Sequence, residues 1–279
     1  LQDGSWAKNN GINSIAILAL MVNGSVPGEG PWAKQIGNGI QFILNSKKDS
    51  GLLAYGETES QAPMYQHALA TVMLAEAYGM TQNPRIREVL IEAINLISET
   101  QDTEGGWRYL PRPMKGDISA TVMQVMALRA AGEAGIYVPQ TVLDNAIRFI
   151  KGCYNLNEKG FGYMHSRGPA AFPRTAAGVV SIQTVGLHDD PLVPESISYI
   201  MEKCFNEEAK KNFYWYGHYY ASIGIYHYGG DYWKTYYPKI RTEIINKWAE
   251  KKNYGEVLDV AWQTLILGVP FRYLPIYQR

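Results

Sequence analysis

Three side chains able to transfer protons stand beside segments that the sequence predicts to be buried helices. Asp117 comes just before the helical segment that begins at Ile118, and His67 lies one turn into another apolar helix. His218 lies within the aromatic run YWYGHYYAS. Carboxylate and imidazole groups can act as general acids and bases, and a helix N-terminus favours anions. We therefore predict Asp117, His67 and His218 as candidate catalytic residues.

Each of the three also has a structural interpretation. The sequence GDISAT places Asp117 where a helix N-cap belongs, with Ser119 and Thr121 nearby. A histidine on an apolar helix, such as His67, is commonly a hydrogen-bonded core residue. The rings around His218 can pack a junction between repeats, stack on sugars, line a lipid tunnel or face a cation. Both interpretations stay open for all three residues.

Aromatic and charged side chains gather at the turns that precede the apolar helices. Arg108 and Arg174 can bind a carboxylate or phosphate with two hydrogen bonds, or simply pair with Asp117 and a neighbouring carboxylate. Tyrosine and tryptophan suit cavity walls because each has an apolar ring and a polar tip. The candidate ligand-binding residues are Tyr65, Trp107, Arg108, Tyr109, Tyr163, His165, Arg174, Tyr214, Trp215, Tyr216 and Asp259.

The two cysteines do not indicate a disulfide framework or a metal site. Cys153 falls at the end of one predicted outer helix and Cys204 on the buried stripe of another, and neither has a metal-ligand spacing to a histidine. A buried thiol acting as a small hydrophobic side chain is the better interpretation. The sequence therefore predicts no metal and no cofactor.

Composition limits the partners that the chain can have. Its 26 basic and 26 acidic residues balance, which argues against a nucleic-acid surface, and 46% hydrophobic residues support a large core. No apolar run reaches the roughly 18 residues that suggest a membrane span. The chain starts at Leu1 inside a repeat, so we expect a C-terminal part of a longer protein. Its compartment stays open, with the cell envelope or secretion as possibilities, and its oligomeric state is unknown.

The elements that must position these residues form a repeat. Aromatic turns recur with a loose period near 50, and glycine beside the ring allows a sharp reversal. The turns lie at Trp6, Tyr55, Trp107, Tyr163, Tyr214–Tyr216 and Tyr254. A mostly apolar helix, here called an inner helix, follows each turn. The predicted inner helices are Asn13–Val22, Tyr65–Tyr78, Ile118–Ala131, Thr175–Val185, Tyr219–Tyr228 and Val257–Val269.

Amphipathic helices with charged faces alternate with the inner helices and are predicted to lie outside them. These outer helices are Pro31–Ser46, Pro84–Thr100, Pro139–Lys151, Leu192–Phe205 and Tyr232–Lys252. A helix that is apolar all round must be covered all round, which favours closure over an open solenoid. We predict an all-α fold, a single α/α-toroid domain over residues 1–279. It would have two rings, with about six inner and five to six outer helices and the aromatic turns at one end.

The turns carry a family resemblance. Gln101, Gly105 and Trp107 fit the Q-x-x-x-G-x-W turn of the terpenoid cyclase and protein prenyltransferase superfamily, and LQDGSW at residues 1–6 is a compressed version. The whole chain resembles the prenyltransferase/squalene-cyclase repeat domains common in planctomycete-type bacterial proteins. The matching segments are MYQHALATVMLAEAYGMT, GGWRYLPRPMKGDISATVMQVMALRAAGEAG and FRYLPIYQR. The resemblance implies an α/α toroid.

The catalytic motifs of that superfamily do not carry over. Where the resembled cyclases have D-x-D-D, this chain has Asp117 followed by Ile118, Ser119 and Ala120, and a Ser119 hydroxyl cannot replace the strong acid. The pair Asp189-Asp190 lies in a short link without a third aspartate. The Asp/Cys/His zinc set of protein prenyltransferases is missing as well. Class II cyclisation and zinc-dependent prenyl transfer are therefore not expected.

Three functions stay open. The first is binding of a small or elongated ligand, isoprenoid-like or glycan, at an aromatic mouth. The second is an acid/base enzyme (a lyase, hydrolase or cyclase-like protein) that uses Asp117 and the histidines. The third is an interaction scaffold of a cell-envelope protein. The segment from Gly152 to Pro173 lacks a helix pattern and is either a lid that carries Tyr163 and His165 or a plain surface loop.

Overall fold

The structure, a computed structural model, describes residues 2–250 and 256–277. The predicted turn at Tyr254 and the end of the last predicted outer helix therefore lie outside the described residues. Helices make up 64% of the structure. In chain order they are α1 (Asn10–Met21), α2 (Ala33–Asn45), α3 (Pro63–Thr81), α4 (Pro84–Glu99), α5 (Ile118–Glu133), α6 (Gln140–Gly152), α7 (Phe172–Thr184), α8 (Leu192–Lys203), α9 (Glu207–Lys211), α10 (Tyr214–Tyr228), α11 (Gly230–Ala249) and α12 (Val257–Gly268).

Very little other regular structure accompanies these helices in the described residues. Short 3-10 turns occur at Glu59–Gln61, Val269–Phe271 and Pro275–Tyr277. Two antiparallel strands of two residues each, β1 (Tyr154–Asn155) and β2 (Gly160–Phe161), form one hairpin. The prediction of an all-α fold with scarce strands is confirmed.

The contacts divide the chain into two compact units. Unit 1 holds the described residues up to Phe149 together with those from Tyr273 onward, and unit 2 holds those from Ile150 to Arg272. Within unit 1, α3 packs against both α1 and α5. Within unit 2, α10 packs against α7 and α12. The inner helices are thus neighbours of one another in each unit.

Inner and outer helices differ as their sequences predict. In α5 the buried residues fall on all sides, whereas α4 buries a single stripe and exposes Arg85 and Arg87. Glycine allows the inner helices close approach, since a Cβ on Gly217 would lie 2.6 Å from the Phe172 ring. Amides also link them: the Gln124 side chain donates to the Met64 carbonyl at 2.9 Å, and that of Gln183 donates to the Gly224 carbonyl at 3.1 Å.

One hydrogen bond repeats three times with the same spacing in the chain. A backbone N–H before an inner helix donates to a side chain 14 residues later, near the start of that helix. The bonds join Leu53 to His67 Nδ1 (3.0 Å), Trp107 to Thr121 Oγ1 (3.1 Å) and Phe161 to Thr175 Oγ1 (3.0 Å). Successive members lie 54 residues apart, which replaces the loose period near 50 with a fixed register. We call His67, Thr121 and Thr175 the acceptor positions.

Asn13 extends this register by one more step, because it lies 54 residues before His67. Its Oδ1 accepts the N–H groups of Trp6 at 2.8 Å and Ala7 at 3.0 Å. The donor is therefore only 7 residues away rather than 14. The first turn is therefore shorter than the other three.

The turn from Gln101 to Trp107 joins an outer helix to an inner one. The Gln101 side chain donates to the carbonyls of Gly105 at 3.0 Å and Val142 at 2.9 Å, and Trp107 Nε1 donates to the Ile97 carbonyl at 2.8 Å. Gly105 has φ +99, and a Cβ there would lie 2.2 Å from the Asn145 carbonyl oxygen. Only glycine fits this position. The turn therefore acts as a staple between elements of unit 1.

Two local predictions need correction or refinement. The Tyr214–Tyr216 cluster, predicted as a turn, is the first turn of α10, because Phe213 in a left-handed conformation (φ +54) ends the preceding loop. The segment between Gly152 and α7 folds on itself. The Asn155 side chain donates to the Gly168 carbonyl at 3.0 Å, and Arg174 Nη2 donates to the Pro169 carbonyl at 2.7 Å.

Candidate functional site

A cleft in unit 2 brings aromatic and charged side chains together. Its volume is about 530 Å³, within the range of small-molecule sites. The lining residues are Lys210, Phe213, Tyr214, Trp215, Tyr216, Glu243, Lys247, Leu258, Asp259 and Trp262. The walls therefore offer five aromatic rings, two carboxylates and two ammonium groups.

Four chain segments build this cleft. The first turn of α10 supplies Tyr214, Trp215 and Tyr216, and the first turns of α12 supply Asp259 and Trp262. The outer helix α11 contributes Glu243 and Lys247, which lie four residues apart and so on one helical face. Lys210 and Phe213 come from α9 and the residues that follow it. The N-terminal ends of two inner helices thus open into the cleft.

The Glu243 carboxylate is held in place by the cleft wall. The Tyr214 hydroxyl donates to Glu243 Oε2 at 2.9 Å. Burial and then the Glu243 charge raise the pKa of Tyr214, so the phenol keeps its proton and stays a donor. One carboxylate oxygen is thereby fixed, while the residue remains part of the cleft lining.

The other charged groups of the cleft differ in how they are paired. The Lys210 ammonium lies 2.9 Å from a Glu207 oxygen. The Lys247 ammonium lies over the Trp215 ring, 5.0 Å from its centroid, which is a cation–π distance. Asp259 makes no ion pair or side-chain hydrogen bond within the part of the chain that the structure describes. Its carboxylate is a free acceptor at the wall.

Phe213 stands at the rim of the cleft in an unusual state. Its φ of +54 is a left-handed conformation that bulky side chains rarely adopt, and its side chain is 77% exposed. Both features oppose folding, because the backbone is strained and a large ring stays in water. Such strain clusters at binding sites and switch segments. It supports a functional interpretation of this cleft.

His218 lies behind the cleft wall and has no exposed surface. Its ring is 4.3 Å from that of Tyr214, centroid to centroid. Nε2 donates to the Cys204 carbonyl at 3.0 Å, so Nδ1 accepts from the Tyr236 hydroxyl at 2.8 Å. Burial lowers the pKa of His218 to about 3. The structure therefore shows a neutral core histidine with both nitrogens bonded.

His67, in unit 1, is a core histidine of the same kind. It has no exposed surface, its Nδ1 accepts the Leu53 N–H at 3.0 Å, and its Nε2 donates to the Ala93 carbonyl at 3.2 Å. Burial lowers the pKa of His67 to about 4. The contacts made by His67 and His218 account for both residues without catalysis, and a catalytic role for them stays a prediction.

Asp117 caps α5, as the GDISAT pattern predicts. Its Oδ1 accepts the Ala120 N–H at 3.0 Å, and its Oδ2 lies 3.7 Å from Arg108 Nη1. The N-cap interpretation and the pairing with Arg108 are confirmed. The Arg108 guanidinium also lies 4.8 Å from the centroid of the Tyr109 ring, and the Tyr65 and Tyr109 rings are 5.8 Å apart. Trp107 is buried beside them in unit 1, as the staple described above.

The remaining predicted residues lie in the folded segment before α7. The Arg174 guanidinium is 5.9 Å from the centroid of the Tyr163 ring, and Arg174 also donates to the Pro169 carbonyl. Burial lowers the pKa of Arg174. His165 is exposed, and its Nδ1 accepts the Arg167 N–H at 3.2 Å. Arg174 therefore secures its own loop, and ligand binding by these residues stays a prediction.

The described residues contain no group of three His, Cys, Asp or Glu side chains placed to hold a metal ion. Neither Cys153 nor Cys204 forms a disulfide within the described residues, both are buried, and burial raises the pKa of Cys204 to about 12. This agrees with thiols that act as small hydrophobic groups. No helix in the part of the chain that the structure describes is long and apolar enough to cross a membrane.

The structure thus divides the predicted residues into groups. Tyr214, Trp215, Tyr216 and Asp259 meet in the cleft, whereas Asp117 and His67 belong to unit 1. Sequence reasoning missed Lys210, Phe213, Glu243, Lys247, Leu258 and Trp262. Signals for some of them existed: Glu243 and Lys247 have i, i+4 spacing, and Trp262 follows Asp259 by three residues.

No protein-family model matches the chain, and no curated protein matches its sequence. A solved structure does match: the cellobiose 2-epimerase from Bacillus thermoamylovorans B4167. The similarity covers 92% of this chain and 74% of that chain, with a TM-score of 0.58 and 12% identity. The class is thereby defined as an α/α-toroid protein, and the predicted fold class is confirmed. No comparison supports the prenyltransferase/squalene-cyclase or planctomycete assignment in particular.

Proposed function

We propose that this chain is a carbohydrate-binding α/α-toroid protein and that the cleft of unit 2 holds a small sugar. The observation that carries the proposal is the combination, in about 530 Å³, of aromatic walls with charged side chains of both signs. The C–H face of a pyranose can lie on a ring such as Phe213 or Tyr216, which keep exposed surface, while its hydroxyls bond carboxylates and ammonium groups. Glu243, oriented by Tyr214, and Asp259 are the acceptors.

The same cleft suits an isoprenoid diphosphate less well. A diphosphate would be repelled by the Glu243 and Asp259 carboxylates. The two lysines of the lining would attract it, but each already has a partner, Glu207 for Lys210 and the Trp215 ring for Lys247. An isoprenoid tail also gains little beside charged groups, because burying them without partners costs free energy. The protein of similar fold named above is a cellobiose 2-epimerase, and cellobiose is a sugar, which favours the same ligand class. A glycan is therefore the proposed ligand.

The acid/base alternative draws little support from the residues first proposed for it. Asp117 caps a helix, and His67 and His218 are buried with both nitrogens bonded. An enzymatic version of the proposal would instead rely on Glu243 and Asp259, the carboxylates that face the cleft. The scaffold alternative also stays a proposal. Exposed rings such as Tyr137 and Phe271 are the surface groups on which it would depend.

Titration with a panel of mono- and disaccharides tests the proposal. We expect at least one sugar to bind with a Kd of about 0.1–1 mM, since a small polar ligand offers modest surface. Binding should also change the intrinsic fluorescence, because two tryptophans line the cleft. Isothermal titration calorimetry gives the affinity. If no sugar of a broad panel binds, the proposal is wrong, and binding of an isoprenoid diphosphate would then identify the other ligand class.

Two matched variants locate the site. Trp262→Phe shortens a ring in the cleft and should weaken sugar binding about threefold to tenfold. Trp233→Phe is the control, because Trp233 belongs to the same unit, stacks on Tyr237 at 4.5 Å and does not line the cleft. Circular dichroism should show both variants folded. Equal binding by the two variants would place the sugar elsewhere.

A further inference from the structure

The charges of the cleft distinguish between sugars. The lining of the cleft carries two positive and two negative charges, so as a whole it is neutral. Three of the four charged groups already have a partner. Lys210 is paired with Glu207, Lys247 lies over the Trp215 ring, and Glu243 accepts from the Tyr214 hydroxyl. Asp259 has no ion pair or side-chain hydrogen bond within the described residues, so the charged group left to attract a ligand is a carboxylate, which favours a cation over an anion.

The aromatic wall already binds an ammonium group of the protein itself. Lys247 holds its ammonium 5.0 Å from the centroid of Trp215. This contact shows that the wall can accept an amine against a ring face, which is the interaction that recognises ammonium ligands in aromatic cages. A second ring, Trp262, has no such internal partner among the cation–π contacts of the described residues.

Asp259 and Trp262 bring a carboxylate and a ring to the same cleft without an ammonium group of the protein between them. They lie three residues apart on α12 and so on one helical face. The Asp259 carboxylate has no ion-pair partner in the described residues, and the Tyr216 ring lies across from Trp262 at 6.2 Å, nearly perpendicular to it. A carboxylate and aromatic rings that line the same cleft suit a protonated amine.

We infer, on the basis of the proposed function, that the sugar recognised is an amino sugar whose free ammonium group lies between the Asp259 carboxylate and the rings of Tyr216 and Trp262. Its hydroxyls face Glu243. N-acetylation would remove the charge and add bulk, so the acetylated sugar should bind less well. A neutral sugar should bind through its hydroxyls alone.

Three disaccharides with the same β-1,4 skeleton test this inference: cellobiose, its 2-amino counterpart built from glucosamine, and the N,N′-diacetyl form of the latter. Titrations at pH 6 and low salt keep the amine protonated. We expect the amino disaccharide to bind about tenfold more tightly than cellobiose, and added salt to reduce that ratio. The acetylated form should bind more weakly than the amino form.

Charge variants assign the preference to its residues. Asp259→Asn should bring the ratio of the two affinities close to one, and Lys247→Gln should raise it about threefold by removing a competing positive charge. Asp231→Asn is the control, because Asp231 lies in the same unit, pairs with Lys234 and does not line the cleft. The use of two cleft variants with opposite expected effects keeps the test valid if one of them fails to fold.

The outcomes separate the inference from the proposed function. If cellobiose binds as tightly as the amino disaccharide, or more tightly, the inference is wrong and the carbohydrate site stands. If Lys247→Gln lowers the ratio, the inference is likewise wrong. If no sugar of the broad panel binds, the proposed function falls as well.

Discussion

The Nδ1 atom of His218 lies 2.8 Å from the hydroxyl oxygen of Tyr236, and neither residue has exposed surface. The two rings are nearly parallel, with an interplanar angle of 22°. Tyr236 belongs to the outer helix α11 and His218 to the inner helix α10, so the bond joins the two layers of unit 2. The His218 ring also packs against the Tyr214 ring and so supports the wall of the cleft from behind.

Tyr236→Phe should destabilise the protein because it leaves His218 Nδ1 buried without a donor. We expect a loss of about 1–3 kcal/mol in the free energy of unfolding, measured by urea denaturation. Tyr237→Phe is the control, since its hydroxyl donates to the Leu267 carbonyl at a half-buried position. That loss should be about 1 kcal/mol or less. Equal losses would argue against the importance of the His218 bond.

Acid should weaken the fold through its two buried histidines. Burial lowers the pKa of His67 to about 4 and of His218 to about 3, below the ordinary value of 6.5. The unfolded chain therefore binds more protons between pH 6.5 and these values. The free energy of unfolding is retained above pH 6.5 and falls as the pH falls. From pH 7 to pH 5 we expect a loss of roughly 2 kcal/mol per histidine.

His67→Asn tests how much of this acid-dependent loss of stability comes from one histidine. Asn13 fills the matching acceptor position, so asparagine can accept the Leu53 N–H without a titratable ring. Urea denaturation at pH 7 and pH 5 should show about 2 kcal/mol less acid destabilisation in this variant than in the parent protein. His165→Gln, at an exposed position, should leave the pH dependence as it is. An unchanged pH dependence in His67→Asn would contradict the prediction.

A glycine pair separates backbone strain from steric conflict. Gly105 and Gly135 both have φ near +90, but a Cβ on Gly105 meets the Asn145 carbonyl at 2.2 Å whereas one on Gly135 meets nothing within 4 Å. Gly135→Ala should cost about 1 kcal/mol from strain alone. Gly105→Ala should cost more than about 2 kcal/mol because the staple must also open. Thermal unfolding of the two variants provides the comparison, and similar costs would refute the staple.

Asp117 provides a test of capping. Asp117→Ala removes the acceptor of the Ala120 N–H and should cost about 1–2 kcal/mol in the free energy of unfolding. Asp117→Asn keeps an acceptor of similar shape and should cost less, although it loses the charge that faces Arg108. Chemical denaturation measures both values. A larger cost for asparagine than for alanine would show that charge, rather than capping, is the dominant contribution.

The helices could be predicted from the sequence because their periodicity is strong. Three helices begin at the predicted residue: α4 at Pro84, α5 at Ile118 and α12 at Val257. α10 was placed five residues too late, because a run of three aromatic residues before Gly217 suggested a turn. Phe213 supplies that turn instead.

The register of 54 residues was harder to find because it is a property of the backbone. The donors are Leu53, Trp107 and Phe161, which share only their apolar character. The aromatic residues used to trace the period mixed two columns of the repeat. Tyr55, Tyr109 and Tyr163 do lie 54 residues apart, whereas Trp107 belongs to the column of Leu53.

The sequence predicted only part of the cleft, because its residues come from both inner and outer helices. Tyr214, Trp215, Tyr216 and Asp259 lie at the starts of inner helices, where the repeat pattern points. Glu243 and Lys247 belong to an outer helix, and the charged residues of such a helix are ordinarily taken as its solvated face. Their part in a cleft depends on the position of α11 beside α10, a tertiary relationship that no local pattern contains.

Asn13 and the three acceptor positions have the same structural role with different chemical groups. An amide at Asn13, an imidazole at His67 and a hydroxyl at Thr121 or Thr175 each accept a backbone N–H from the turn before an inner helix. The fold requires a lone pair at each of these four positions, whichever side chain provides it. A protein engineer could therefore add or remove an ionisable group deep inside this fold while keeping its backbone, and so change its stability in acid one position at a time.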